Sequence, residues 1–292
     1  MFDETPLARE IASSSKRLAA INAASVPRPS ATRIFTISNQ KGGVGKTTTA
    51  VNLAASLAYK GLNVLVIDLD PQGNASTALG VDHHSGVRGI YEVLTEGLDL
   101  TEVIYKSPVM DHLYCVPASI DLAGAELELI TGFDQAERNL RLRNALAKFV
   151  NEAAVKPDYI FIDCPPSLGV LTINAFTAAT EVMIPIQCEY YALEGLSQLT
   201  NNIRLIQTHL NPALRLSTIL LTMFDSRTNL STQVSDDVRT HFPAQTLNAV
   251  IPRSVRVSEA PSFSQPVITY DKSSTGSLAY LEAAIELANR GA

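Results

Sequence analysis

Short runs of consecutive apolar residues alternate with amphipathic segments along most of the chain. Six runs have the length and composition of strands, at residues 33–38, 63–68, 112–117, 158–163, 181–187 and 216–224. Helical segments lie between several of them and after the last, at residues 47–60, 139–154, 194–209 and 277–290. Continuous apolar strands separated by helices are typical of a parallel sheet that is covered on both faces. The pattern therefore predicts an α/β fold: a doubly wound, mostly parallel sheet with helices on both faces.

Residues 1–31 differ in pattern from the rest of the chain. Residues 6–24 have helical propensity and a loose apolar stripe, and Pro27 and Pro29 come next, where they would stop a helix. We expect an N-terminal extension over residues 1–31, made of a helix and a proline-containing linker. Residues 32–292 would then form the main domain.

Composition narrows the class of protein. Hydrophobic residues make up 46% of the chain and charged residues 18%, which is enough apolar material for a large core and excludes disorder as the main state. The net charge of −6 excludes an overall basic coat, so any nucleic-acid site must be a local patch. Three scattered cysteines without a CxxC spacing favour buried, reduced thiols over a disulfide scaffold or a zinc site. No apolar run is long enough to span a membrane and no secretory signal is visible, so we expect a cytoplasmic protein without membrane insertion.

A glycine-rich segment, KGGVGKTT, joins the first predicted strand of the domain to its first helix, which is the context that a phosphate loop requires. Glycines let the backbone turn its amide groups towards phosphate oxygens, and the start of the helix adds its positive dipole end. Lys46 would reach the β- and γ-phosphates, the Thr47 hydroxyl would ligate Mg²⁺, and Thr48 is placed to contact the α-phosphate. Gln40 stands where the usual pattern has its first glycine. The predicted nucleotide-binding residues of this segment are Lys41, Gly42, Gly43, Val44, Gly45, Lys46, Thr47 and Thr48.

At these residues a resemblance to a known family becomes visible. KGGVGKTT resembles the deviant Walker A motif, and the later segments VIDLDPQGNAST, FIDCPPSLG and IPRSVRVSEAPSFSQPV are similar to ParA segments in the family's order. The resemblance covers roughly residues 32–290 and is to ParA- or Soj-type partition ATPases. It implies a P-loop ATPase domain over residues 32–292, with ATP and Mg²⁺ as cofactors.

The resemblance also implies roles for individual residues. Lys41 would reach across a homodimer to the partner's nucleotide, and it forms the expected catalytic set with Lys46 and Asp70, the residue that positions the attacking water. Asp68 and Asp163, which end two apolar strands, would support Mg²⁺ through water together with Thr47. The loop around residues 251–254 would lie beside the adenine and contribute Pro252 and Ser254.

Charge is unevenly distributed along the chain. Residues 60–137 contain 3 basic and 13 acidic residues, whereas residues 200–272 contain 7 basic and 5 acidic ones. ParA proteins bind double-stranded DNA non-specifically as the ATP dimer, and segments similar to those that supply their arginines here contain Arg227, Arg253 and Arg256. No reading helix or aromatic base platform is visible, which disfavours sequence-specific binding.

The family also implies partners and a place in the cell. A ParB-type centromere-binding protein would stimulate hydrolysis that is slow on its own, the protein would associate with the nucleoid, and a polar scaffold protein is a further partner that the resemblance admits. The resemblance thus implies a role in chromosome or plasmid partitioning.

Three alternative functions stay open: a MinD-like division-site ATPase, an iron–sulfur reductase, and a nucleotide-gated scaffold without turnover. Glu282 and Glu286 in the last helix, with Arg290 alone as a base, favour a docked helix over a lipid-binding one.

Overall fold

The architecture is taken from a computed structural model that describes residues 5–190 and 192–291, without the side chains of residues 6–11. The described strands are β1 Arg33–Ile37, β2 Val64–Asp68, β3 Tyr105–Lys106, β4 Leu113–Val116, β5 Tyr159–Asp163, β6 Glu181–Gln187, β7 Arg215–Phe224 and β8 Thr246–Pro252. The helices are α1 Pro6–Ala23, α2 Lys46–Tyr59, α3 Asn74–Ala78, α4 Ile90–Thr95, α5 Leu122–Gly132, α6 Gln135–Glu152, α7 Val170–Ala178, α8 Ala192–His209, α9 Asn229–His241, α10 Val255–Glu259, α11 Val267–Tyr270 and α12 Thr275–Asn289. Short 3₁₀ turns cover Leu100–Glu102 and Ala260–Phe263.

All eight strands form one sheet in the order β3-β4-β2-β5-β1-β6-β7-β8. Every neighbouring pair is parallel except β3 and β4, which are antiparallel. Alternate residues of the central strands enter different cores: Val64 and Val66 of β2 pack in the core that includes α2 and α12, and Leu65 and Ile67 pack in the core on the opposite face. Burial on both faces explains why the strand sequences are continuous apolar runs. The predicted doubly wound fold is confirmed.

The sequence-based prediction is wrong at the end of β8. A loop is expected at residues 251–254, but Ile251 and Pro252 are the last two residues of this strand. Within the described part of the chain, β8 is an edge strand that pairs only with β7, and Asn248 in its middle is exposed. An edge strand needs fewer apolar residues than a central one, so its sequence carries a weaker signal.

The end of the predicted extension lies against the body of the protein. Ile21 of α1 is buried, and Lys60 at the end of α2 donates to the Ile21 carbonyl at 2.8 Å. The Arg17 guanidinium forms a 2.7 Å ion pair with Glu282 of α12. In the linker, Arg28 binds Asp158 at 2.6 Å. The division of the chain at residue 31 stays a prediction.

A buried ion pair fixes the start of β1. The Arg33 guanidinium binds both carboxylate oxygens of Glu181 on β6 at 2.8 Å, and it also donates to the Leu287 carbonyl of α12 at 2.9 Å. Burial opposes ionisation of Glu181, but these hydrogen bonds and the charge of Arg33 hold its pKa below the usual range. The ion pair joins β1, β6 and α12 at the end of β1 that lies opposite the glycine-rich loop.

None of the helices in the described ranges is both long and apolar enough to cross a lipid bilayer.

Candidate nucleotide-binding site

The carboxyl ends of three adjacent strands bring the predicted site residues together. Asp68 at the end of β2 is in register with Asp163 at the end of β5, and Asp163 is in register with Ile37 at the end of β1. The glycine-rich segment follows β1, so it emerges next to both acids. Ligands of doubly wound sheets bind at this edge, outside the carboxyl ends of the strands.

The glycine-rich segment forms an open backbone loop that leads into α2. Gly43 and Gly45 have left-handed φ values of +74° and +89°, which other residues adopt only with strain. A Cβ atom placed on Gly43 would meet nothing within 4 Å, so the space beside this residue is open. The Thr222 hydroxyl of β7 donates to the Val44 carbonyl at 2.9 Å, and the Asn39 side chain accepts from the Lys41 amide at 3.0 Å. These contacts hold the loop in a shape that suits phosphate oxygens.

The two lysines of the loop have opposite environments. Lys46 is buried, and burial lowers the pKa of its ammonium group while the negative charge of Asp163 opposes that shift. Its Nζ atom donates to the Lys41 carbonyl at 3.3 Å. The Lys41 side chain, in contrast, is exposed and forms a 2.7 Å ion pair with Glu189, just after β6. Lys46 therefore belongs to the interior of the site and Lys41 to the protein surface.

Asp163 is a buried carboxylate without hydrogen bonds among the described residues, at either of its oxygens. Burial raises the pKa of Asp163 well above the usual range, and the negative charge of Asp68 adds to this shift. The nearby Thr47 hydroxyl opposes the shift, although it is not within hydrogen-bonding geometry of the carboxylate. Unbonded carboxylate oxygens beside a hydroxyl at a helix N-terminus are hard ligands that suit Mg²⁺. The described residues contain no group of three or more His, Cys, Asp or Glu side chains that could hold a metal alone. That fits Mg²⁺, which commonly binds through one or two carboxylates, waters and substrate phosphates.

Asp68 is also buried, but its oxygens already have partners. It accepts hydrogen bonds from the Ser76 amide and hydroxyl, both at 2.8 Å, and from the Asp70 amide at 3.2 Å. Burial outweighs these contacts and raises its pKa to about 6. Asp68 thus fixes the loop over residues 69–73 and the first turn of α3, and its predicted contact with the metal stays a prediction. Asp70 lies on that loop, and its carboxylate accepts from the Gln72 amide at 3.0 Å.

A cavity of about 250 Å³ opens beside Thr47 and Thr48 at the start of α2. Its other lining residues come from α2, α3 and the segment before α11: Val51, Asn52, Asn74, Thr77, Ala78, Pro261 and Gln265. The predicted adenine contacts lie outside this lining. Pro252 ends β8, and Ser254 is the residue that precedes α10. Their contact with the base stays a prediction.

The three predicted DNA-binding arginines lie at the same end of the sheet. Pro252 of β8 is paired with Phe224 of β7, so the loops that carry Arg227 and Arg253 leave adjacent strands. Arg227 binds Asp225 at 2.7 Å and lowers the pKa of that carboxyl to about 2. Arg256 on α10 contacts Glu259 at 3.2 Å and Asp271 at 3.4 Å. Arg227 and Arg256 thus have internal acidic partners that DNA phosphates would have to replace.

Three polar residues that shape the site lie outside the predicted motifs, and a fourth, Ser76, lies inside one without a predicted role. Asn39 and Thr222 hold the phosphate loop, Ser76 holds Asp68, and Glu189 holds Lys41. Glu189 and Thr222 are far from the loop in sequence, so only the fold reveals these contacts. For Ser76 and Asn39 the spacing to their partners is short, but hydroxyl and amide residues at such positions are common in turns.

An open glycine loop entering a helix, with a buried unbonded acid at the end of a neighbouring strand, defines a P-loop ATPase with a deviant Walker A motif. A family model described as an AAA domain matches residues 32–216. The sporulation initiation inhibitor protein Soj of Bacillus subtilis (strain 168) is 51% identical over 261 residues, which are 89% of this chain and 99% of that protein. The chain belongs to the ParA/Soj family of chromosome-partitioning ATPases, as the sequence predicted.

Two further relatives extend the comparison. The chromosome partitioning protein ParA of Myxococcus xanthus (strain DK1622) is 52% identical over 258 residues, 88% of each chain. Among solved structures, a cobyrinic acid a,c-diamide synthase from Mycobacterium smegmatis with bound ATP analogue and magnesium has a TM-score of 0.67 and 39% sequence identity. That similarity covers 80% of this chain and 93% of the other.

Proposed function

We propose that this protein is a DNA-segregation ATPase whose ATP-bound homodimer binds double-stranded DNA non-specifically. ATP and Mg²⁺ are its cofactors. A ParB-type centromere-binding protein stimulates a slow basal hydrolysis, and the dimer then dissociates and releases DNA, which drives chromosome or plasmid partitioning. The protein acts in the cytoplasm at the nucleoid, and a polar scaffold protein is a further proposed partner.

The different environments of Lys41 and Lys46 carry this proposal. Lys46 and Thr47, with Asp163, provide a cation, a hydroxyl and an acid for one Mg–nucleotide, and bound Mg²⁺ would neutralise charge on its phosphates. The exposed Lys41 ammonium is directed to Glu189 and not to that site. Lys41 is therefore available to a nucleotide held by a second subunit. A cation between two loaded subunits offsets the repulsion of their phosphates, which makes pairing depend on ATP.

The alternative functions fit the described residues less well. Leu278, Leu281, Ala284 and Leu287 of α12 are buried, so this helix uses its apolar face for packing and not for lipid. All three cysteines are buried, and burial raises the thiol pKa to about 12 for Cys164 and about 11 for Cys188. Such buried thiols are poor ligands for an iron–sulfur cluster.

Solution size tests the proposed cycle. The protein should be a monomer when empty or with ADP, and a dimer with ATP and Mg²⁺, because only the triphosphate extends to the partner's Lys41. Multi-angle light scattering after size exclusion measures this directly, with phosphate release followed on the same samples. The same size in all three states would remove the nucleotide-driven cycle.

DNA retention tests the arginine patch. Replacing Arg227 by alanine removes one phosphate contact from each subunit, hence two from a dimer, and each contact contributes about 0.9 to the slope of log affinity against log salt. We expect the slope to fall by about 2, with ATP-dependent dimerisation unchanged. Fluorescence anisotropy with unrelated DNA duplexes over a salt series measures the slope. Arg143→Ala, at an exposed arginine of α6, is the matched control. Equal slopes for both variants would exclude Arg227 from the DNA site.

A further inference from the structure

Helix α5 exposes an apolar face next to the site. Its residues Leu122, Ala125 and Leu129 are buried in the core, while Leu127 and Ile130 on the other side are 68% and 49% exposed. Ile120, just before the helix, is 62% exposed. Leu127 and Ile130 are three residues apart in α5, which places their side chains on one side of the helix. We call Ile120, Leu127 and Ile130 the α5 stripe; several exposed apolar side chains on and beside one short helix mark an interaction site more often than single exposed residues do.

The α5 segment, which carries the stripe, adjoins both acid-bearing segments of the site. Just before the helix, the Ala118 amide donates to the Ser76 hydroxyl that also holds Asp68. On the other side, a Cβ atom on Gly169 would overlap the Glu126 carboxylate of α5, so the two residues are in close contact. Gly169 directly precedes α7 and ends the loop that begins after Asp163. A ligand on α5 would therefore press on the segments that hold Asp68 and Asp163.

Charge indicates what would cover the stripe. Residues 118–132 contain Asp121, Glu126 and Glu128 and no basic residue. One buried oxygen of Glu126 has no hydrogen-bond partner among the described residues. A second copy of the same surface would bring like charges together, whereas a basic segment would pair with them. The surface thus favours a segment with apolar and basic side chains.

We propose that the α5 stripe is the docking surface for a basic, apolar-faced segment of the protein that stimulates hydrolysis. This inference rests on the proposed function, because it assigns a place to the partner that function requires. Apolar side chains of the segment cover Leu127 and its neighbours, and its cations pair with Glu126 and Glu128. Docking acts on hydrolysis through the contact of Glu126 with Gly169.

The test uses the full-length protein with the full-length ParB-type protein of the same organism, DNA, ATP and Mg²⁺. Leu127→Ser removes apolar contact from the stripe, and Leu205→Ser, at an exposed leucine of α8, is the matched control. Phosphate release is measured against partner concentration. We expect Leu127→Ser to raise the half-stimulating concentration about tenfold or more, as the loss of one buried leucine predicts, with basal turnover unchanged and Leu205→Ser like wild type.

A second variant tests the charge. Glu128→Gln keeps an acceptor for the Tyr91 hydroxyl, which binds both Glu128 oxygens at 2.9–3.0 Å, but removes the negative charge. It should also weaken stimulation and reduce its dependence on salt. Wild-type stimulation in both Leu127→Ser and Glu128→Gln would overturn the inference. Loss of ATP-dependent dimerisation in folded Leu127→Ser would also overturn it, because the α5 stripe would then contact a second copy of the chain. Absence of dimerisation or turnover in the wild-type protein would instead refute the proposed function.

Discussion

Lys41→Ala is expected to abolish ATP-dependent dimerisation at micromolar protein and to lower hydrolysis about 10³-fold, the low end of the effect of a trans-acting arginine in related chemistry. A hydrogen bond to a charged group contributes about 1.5–3 kcal/mol. A symmetric dimer loses two of them, which amounts to at least about 3 kcal/mol and more than a 100-fold weaker association. Nucleotide binding by one subunit should persist, because Lys46 is unchanged.

The contact that Lys41 makes in the single subunit can be exchanged at little loss. Its ion pair with Glu189 is exposed, with 49% and 45% of the two side chains accessible. Exposed pairs of this kind contribute about 0–1 kcal/mol. A triphosphate with several negative charges, enclosed between two subunits, is a stronger partner than one solvated carboxylate. We therefore expect dimerisation to move Lys41 from Glu189 to phosphate.

Light scattering with ATP and Mg²⁺ and a phosphate-release assay measure the two effects of Lys41→Ala. Lys156→Ala, at another exposed lysine, controls for loss of surface charge and should behave as wild type. Lys46→Ala provides the contrast, since it should fail to bind nucleotide at all. If Lys41→Ala forms the dimer with ATP and hydrolyses it normally, the residue has no role across the interface.

The central part of the sheet was predictable because its strands are buried on both faces. β1, β2, β5, β6 and β7 lie within one residue of their predicted limits. The sheet edges carried less information: β3 has two residues and β8 contains the exposed Asn248, so neither was predicted. Helix α5 was missed for a different reason, because apolar residues on both of its sides remove the amphipathic period that identifies a surface helix.

For the candidate site, the sequence predicted which residues would meet but not which ones were already engaged. Asp68 and Asp163 both follow isoleucine at the end of an apolar strand, and the sequence assigned both to Mg²⁺. The two acids differ because of the residues that follow Asp68. Gly73 adopts a left-handed φ of +64°, and the first turn of α3 then brings the Ser76 amide within hydrogen-bond distance of Asp68. Among the described residues, nothing equivalent reaches Asp163. Such discrimination depends on loop conformation, which local residue types do not determine.

Asp70→Ala is expected to separate nucleotide binding from turnover. If Asp70 positions the attacking water, its loss should lower hydrolysis about 10²–10⁴-fold, the usual contribution of a positioned acid–base group. ATP affinity and dimerisation should change little, because the phosphate loop and Lys41 are intact. The variant would then accumulate as an ATP dimer that stays on DNA, which single-turnover phosphate release and DNA dissociation kinetics measure.

Asp70→Asn separates charge from loop geometry. Its side-chain carbonyl can still accept from the Gln72 amide, the 3.0 Å contact that the carboxylate makes, so the turn should be retained. It cannot act as a base or carry the negative charge, so turnover should be as low as in Asp70→Ala. Asp99→Asn, at an exposed acid paired with Lys148, should hydrolyse ATP as the wild type does. Normal turnover in Asp70→Asn would mean that Asp70 shapes its loop and that another group positions the water.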